Sequence, residues 1–161
     1  MFVAALLICG SAHADEPVEH RLPLIEQESG AFYLRGTLGK DIESEMLVDT
    51  GSSYVALSKA TFDKLRKQER LEVRRTIHGT TANGRMIKVK VFALEGLKLS
   101  DDCVLNGVEA VVLPGANRDI LGLTALRRLQ PFSMTFEPAT LSFESCLSNP
   151  AKTELLAAAP D

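Results

Sequence analysis

With 161 residues the chain can build one domain with a buried core but not two. Hydrophobic residues make up 45% and charged residues 24%, the balance of an ordinary globular protein, which excludes wholesale disorder. The net charge of −3 arises from interspersed acids and bases, so no basic stripe for gripping nucleic acid is expected. The one cationic cluster (Lys64, Arg66, Lys67, Arg70, Arg74, Arg75) is balanced by Asp63, Glu69 and Glu72 and reads as a solvated helix face and turn.

The first residues have their own pattern. Phe2 to Ile8 is an apolar run, and Ala12-His13-Ala14 offers the small-x-small pattern of a signal-peptidase site, followed by acidic Asp15-Glu16. These features predict a secretory signal peptide over residues 1–14 and export to the periplasm or beyond, although no Lys or Arg precedes the run. The run is far too short for a permanent bilayer helix, so no stable membrane span is expected. Acylation at Cys9 fits less well, because bulky Ile8 stands before it. Export would leave Cys103 and Cys146 as an even pair in an oxidising compartment. A disulfide and two isolated buried thiols both fit the sequence. Neither cysteine lies in a C-x-x-C motif, and only His20 and His78 remain past the leader, so no metal and no cofactor is expected.

Short apolar runs between turn residues then predict an all-β domain. Ala31 to Leu38 and Glu45 to Asp49 read as strands around the turn Gly39-Lys40-Asp41, and Val55 to Leu57 as a third. Ser58 has the character of an N-cap for a helix over Lys59 to Lys67, with Phe62 and Leu65 inward. Val73 to Thr80 and Arg85 to Leu94 flank Asn83-Gly84, the strongest short hairpin signal. Val104-Leu105 and Val108 to Leu113, around Asn106-Gly107, suggest a second hairpin. Ile120-Leu121-Gly122 leads into a second helix, Leu123 to Leu129, stopped by Pro131. Phe132 to Phe136 and Thr140 to Phe143 form the last strand pair, and residues 148–161 read as a disordered tail.

The chemistry centres on Leu47-Val48-Asp49-Thr50-Gly51-Ser52-Ser53. A lone D-T-G triplet can be a plain turn, with Asp as cap and Gly supplying a permissive backbone. Here it follows an apolar strand directly, so Asp49 should emerge at a strand end. About seventy residues later comes Ile120-Leu121-Gly122, opening a helix, with the glycine-bearing hairpin in between.

In this order of elements the chain resembles the retropepsin-like aspartic proteases, and within them a bacterial exported branch, with Thr81-Ala82-Asn83-Gly84 and Asp119-Ile120-Leu121-Gly122-Leu123 as the similar stretches. The resemblance spans roughly Ala31 to Phe143. It implies a small closed β-barrel over residues 31–147, preceded by an N-terminal extension over 15–30, with a flap hairpin and two short helices. It further implies Asp49, Thr50 and Gly51 as the catalytic loop, with Thr50 bracing two such loops and Ser52 hydrogen-bonding near the carboxylate. Ala82, Asn83 and Gly84 would be a mobile flap tip over bound peptide, and Ile120-Leu121-Gly122 would lock the loop.

Peptide hydrolysis by carboxylates needs two of them sharing one proton. Only one D-[ST]-G occurs; Asp101-Asp102 lies in a polar turn, and Asp119 lacks the Thr-Gly follow-on. The second aspartate must then come from a second copy, which makes a twofold homodimer acting on a peptide or protein substrate the economical arrangement. A non-catalytic periplasmic module that binds peptides or assembles a complex on the same fold is the alternative.

Overall fold

The computed structural model describes residues 19–81 and 84–148. The expected signal peptide, the residues Ala82 and Asn83 of the expected flap tip, and the tail beyond Ser148 lie outside the described residues.

Near the N-terminus lie β1 (His20–Pro23) and β2 (Ile25–Glu26). β3 (Phe32–Leu38) and β4 (Ile42–Val48) then form a hairpin whose turn places Gly39 at φ 60°, a left-handed value that suits glycine. Their side chains alternate with the pleat: Leu34, Leu38, Ile42 and Met46 are buried, while Arg35, Glu43 and Glu45 are exposed. β4 starts three residues earlier than its apolar stretch suggested. Its charged residues occupy the outward face, where Thr37 donates to Glu43 at 2.9 Å and Arg35 to Glu45 at 3.0 Å.

After β5 (Val55–Leu57), helix α1 runs over Lys59–Gln68. Ser58 caps it as expected, its Oγ accepting from the Thr61 N–H at 3.2 Å. Leu65 is its fully buried anchor, and Phe62 packs on Phe92 with ring centroids 5.1 Å apart. β6 (Glu72–Thr80) and β7 (Met86–Leu94) form the hairpin that Asn83-Gly84 signalled. They are followed by β8 (Leu97–Ser100), β9 (Cys103–Leu105), β10 (Val108–Val112), β11 (Asp119–Leu121), α2 (Leu123–Leu126), β12 (Leu129–Phe136) and β13 (Ala139–Cys146).

The large sheet has the order β6-β7-β10-β5-β11-β4-β3-β8-β9, with β2 beside β3. β6 and β9 end this path and are the strands that closure into a barrel would have to join. β11 is inserted between β4, which it meets in parallel, and β5, which it meets antiparallel. A second sheet, β1-β13-β12, covers the core. Leu38, Met46, Leu94, Leu121, Leu126 and Phe143 lie in one cluster below 2% exposure, each such side chain contributing about 1.5–3 kcal/mol by burial. A smaller cluster of Ala56, Val89, Val91 and Val111 lies on the side of the β6–β7 hairpin.

Three expectations are corrected. Asn106-Gly107 does not join a paired hairpin: β9 pairs with β8 across the Asp101-Asp102 turn, and β10 pairs with β7 and β5. The second helix ends at Leu126, and Leu129 already belongs to β12. Pro131 lies within that strand, where it is tolerated because β12 is an edge. Residues 20–26, placed in an extension, contribute two strands, with His20 stacked on Phe143 at 5.0 Å.

Cys103 and Cys146 form a disulfide with Cα atoms 5.6 Å apart, tying β9 at the end of the large sheet to β13 of the small one. The bridge spans 43 residues. A cross-link of that span stabilises by about 4 kcal/mol in the chain-entropy account, and often less. Replacing both cysteines by alanine should therefore lower the urea midpoint of unfolding by an amount equivalent to about 2–4 kcal/mol. An unchanged midpoint would show that the bridge constrains nothing the fold has not already fixed. The nearby Arg128, only 4% exposed, donates from Nε to the Leu147 carbonyl at 2.7 Å and from Nη1 to that of Asn106 at 2.8 Å. It thereby fixes the chain just after β13.

Candidate active site

Asp49 continues the β4–β11 ladder by one residue, its N–H donating to the Leu121 carbonyl at 3.2 Å. The chain then turns at once. The Gly51 N–H donates to Asp49 Oδ1 at 2.8 Å, and the Ser52 N–H to the Asp49 carbonyl at 3.3 Å. The carboxyl group is thus held at the end of a rigid strand, half-buried, with one oxygen fixed by a backbone donor. A Cβ on residue 51 would stand 3.1 Å from that oxygen, so glycine gives the loop the room to close.

Thr50 and Gly51 are exposed, and among the described residues the Thr50 hydroxyl has no hydrogen-bond partner. Ser52 departs from expectation. Its hydroxyl donates to the Tyr54 carbonyl at 2.8 Å, which shapes the loop rather than touching the carboxylate.

The Ile120-Leu121-Gly122 segment lies directly against this loop. A Cβ at Gly122 would fall 2.1 Å from the Tyr54 carbonyl oxygen and 2.7 Å from that of Ser52. Only glycine permits this approach. It brings the opening N–H groups of α2 onto the loop: Leu123 donates to the Ser52 carbonyl at 2.8 Å and Thr124 to that of Ser53 at 3.2 Å. Donors that a helix start leaves unsatisfied are here satisfied by the loop bearing Asp49. The Thr124 hydroxyl adds a bridge, accepting from the Val55 N–H at 2.9 Å and donating to the Glu109 carbonyl at 2.7 Å.

Asp119 has a structural task that the sequence did not disclose. At 5% exposure its carboxylate accepts from the Ser44 hydroxyl (2.6 Å), the Ser58 N–H (2.6 Å) and the Thr61 hydroxyl (2.7 Å), joining β4, the start of α1 and β11. Its acceptor capacity is committed to holding the scaffold. A carboxylate directly before the apolar pair Ile120-Leu121, at the start of a short buried strand, was the available signal. Asp101 and Asp102 are exposed in the β8–β9 turn, where Asp101 pairs with Lys98 at 2.6 Å.

The β6–β7 hairpin turns through bonds from the Thr81 N–H to the Arg85 carbonyl (2.9 Å) and from the Gly84 N–H to that of Thr81 (2.8 Å), with Gly84 at φ 78°. Half-buried Ile77 and Ile87 on the hairpin pack against the smaller apolar cluster, as do Tyr54 and Ile120 from the elements around Asp49. His78 is exposed on β6. Among the described residues no group of three or more His, Cys, Asp or Glu is placed to hold a metal ion.

The fold is that of the retropepsin-like aspartic proteases. The crystal structure of a retropepsin-like aspartic protease from Rickettsia conorii superposes with a TM-score of 0.59 at 19% identity, over 84% of this chain and 100% of that one. A model of the family described as "gag-polyprotein putative aspartyl protease" matches residues 36–128, more than half of the sequence, and the chain belongs to that family. No curated protein matches it.

Proposed function

We propose that the protein is an aspartic endopeptidase whose active site is completed by a second copy of the chain, each copy supplying one Asp49. The observation that carries this reading is the seating of Asp49. It stands at a strand end, fixed through the Leu121 carbonyl and the Gly51 N–H, in a loop that Gly122 locks from behind.

Two such carboxyl groups brought face to face cannot both ionise, so they share a proton. The ionised member takes a proton from water as it attacks the scissile carbonyl. The protonated member hydrogen-bonds that carbonyl and later delivers its proton to the departing amine. No metal or cofactor enters these steps. The second carboxyl group would come from another chain, because the sequence holds one Asp-Thr-Gly and Asp119, which β11 sets beside β4, is occupied by Ser44, Ser58 and Thr61. The exposed Thr50 hydroxyl would meet its counterpart where the two loops abut. The β6–β7 hairpin would cover a bound peptide, shielding it from water. Residues 1–14, if removed as a leader, place this activity in the periplasm or outside the cell.

A site shared between two chains disappears on dissociation. Specific activity on a peptide library should therefore fall steeply as the protein is diluted through its dimer dissociation constant, with dimer content measured in parallel. Activity strictly proportional to protein far below that constant would refute the composite site. A folded protein with no peptidase activity at any concentration would favour a binding module.

A further inference from the structure

The β6–β7 hairpin divides into two parts. Among the described residues β7 pairs with β10 at Val91, Phe92, Ala93 and Leu94; from Lys90 back to Met86 its strand partner is β6. The outer part is thus a two-stranded ribbon, an arrangement with little stability of its own. Residues Glu72 to Thr76 of β6 are exposed throughout; apolar packing begins farther out, where Ile77, Ile87 and Val89 meet the smaller cluster, so at its root the β6 strand is held by polar contacts.

Arg75 stands at the root of this ribbon. It lies opposite Val91, the last β7 residue with strands on both sides, next to the register shift between Val73 and Arg75. Its guanidinium is paired with the Glu109 carboxylate of β10 through both terminal nitrogens, Nη2 to Oε2 being 2.7 Å. Nη2 also donates to the Tyr54 hydroxyl at 3.1 Å, and the guanidinium carbon lies 5.9 Å from the centre of the Tyr54 ring. Paired first with Glu109 and then with Tyr54, the Arg75 cation is held more firmly protonated than usual. Tyr54 in turn is the residue after Asp49-Thr50-Gly51-Ser52-Ser53, and its carbonyl is the one that Ser52 bonds and Gly122 abuts.

We propose that Arg75, Glu109 and Tyr54 form a latch that couples the root of the β6–β7 ribbon to the loop bearing Asp49, and that Arg75 is a positioning residue setting the ribbon's height over the site. An exposed lone ion pair contributes little. This one is two-pronged, which fixes direction as well as distance, and it is extended by the aromatic ring and hydroxyl. The coupling is mechanical: a ribbon that swings at its root changes how much of the time the cleft is closed, while the Asp49 loop keeps its bonds to Leu121 and α2. The part of the proposal that concerns catalysis rests on the endopeptidase reading.

The test compares wild type, Arg75→Met, Glu109→Gln and the double variant by amide hydrogen exchange and by steady-state kinetics on one peptide substrate. Each single variant should speed exchange of ribbon amides (Thr76–Thr80, Met86–Lys90) by about fivefold and leave β3 and β4 unchanged. KM should rise by a similar factor with kcat within about twofold, because the closed complex, once formed, reacts as before. The double variant should be no worse than either single one, as expected of residues acting as a unit. Glu109→Gln keeps the side-chain shape and serves if Arg75→Met does not fold. Unchanged ribbon exchange, additive effects, or faster exchange with wild-type KM would each overturn the latch. If wild type cleaves no peptide, the endopeptidase reading fails, while exchange still decides whether the latch exists.

Discussion

Replacing Asp49 by asparagine is expected to lower kcat/KM for peptide hydrolysis by at least about 10³-fold, near the upper range for loss of general acid–base catalysis. The amide keeps the size of the carboxyl group, and its oxygen can still accept the 2.8 Å bond from the Gly51 N–H. The loop should therefore keep its shape, and thermal stability should stay within about 0.5 kcal/mol, as for most exposed or half-exposed substitutions. What disappears is chemistry. An amide can donate a hydrogen bond, but it is no base toward water and no acid able to protonate a departing amine, and in a symmetric dimer both halves of the site would be lost together. Circular dichroism and cleavage of a peptide library, measured on the same preparation, separate loss of function from loss of fold. Cleavage by the variant at the wild-type rate would sink the carboxylate mechanism outright.

The site was legible in the sequence to the extent that its parts are local. Asp49, Thr50 and Gly51 are consecutive, the strand before them is apolar, and a glycine follows Ile120-Leu121, so the loop and its lock could be read without knowing the pairings. α1 was legible because Ser58 is a cap with a local mechanism. Pairing partners were not. Asn83-Gly84 and Asn106-Gly107 are the same dipeptide, yet only the first joins strands that pair with each other. At the second, the Gly107 N–H goes to the Leu94 carbonyl, starting β10 along β7 and away from β9. A turn dipeptide specifies a local reversal, whereas the partner is chosen by the distant edge that buries Val108, Ala110 and Val111. β1 was hidden for the same reason: its four residues gain meaning only beside Thr140 to Phe143, more than a hundred residues on. Tyr54 and Arg75 gave no signal either, since their link crosses from the Asp49 loop to the edge of the sheet.

Gly122→Ala should be the most destabilising single methyl this fold can receive near the site. The new Cβ would lie 2.1 Å from the Tyr54 carbonyl oxygen, 2.6 Å from its carbon and 2.7 Å from the Ser52 carbonyl oxygen. All three are backbone atoms, so no side chain can rotate away. Gly122 has φ −97° and ψ −173°, extended values open to alanine, and the cost is therefore steric rather than conformational. Relief requires α2 and the loop to separate, which stretches the bonds from Leu123 to Ser52 and from Thr124 to Ser53, and with them the tie from Asp49 to Leu121. Overpacking of this kind typically costs about 1–3 kcal/mol. Contact with immovable backbone and the loss of buried hydrogen bonds should bring the total to at least about 3 kcal/mol. Whatever protein remains folded should be nearly inactive, because a shift of about 1 Å at a catalytic group can cost 10²-fold in rate. Gly79→Ala is the control. A Cβ there meets nothing within 4 Å and φ is not positive, so its urea midpoint should stay close to that of wild type or rise slightly. If Gly122→Ala unfolds at the same midpoint as Gly79→Ala and keeps its activity, the loop bearing Asp49 is not locked by β11 and α2.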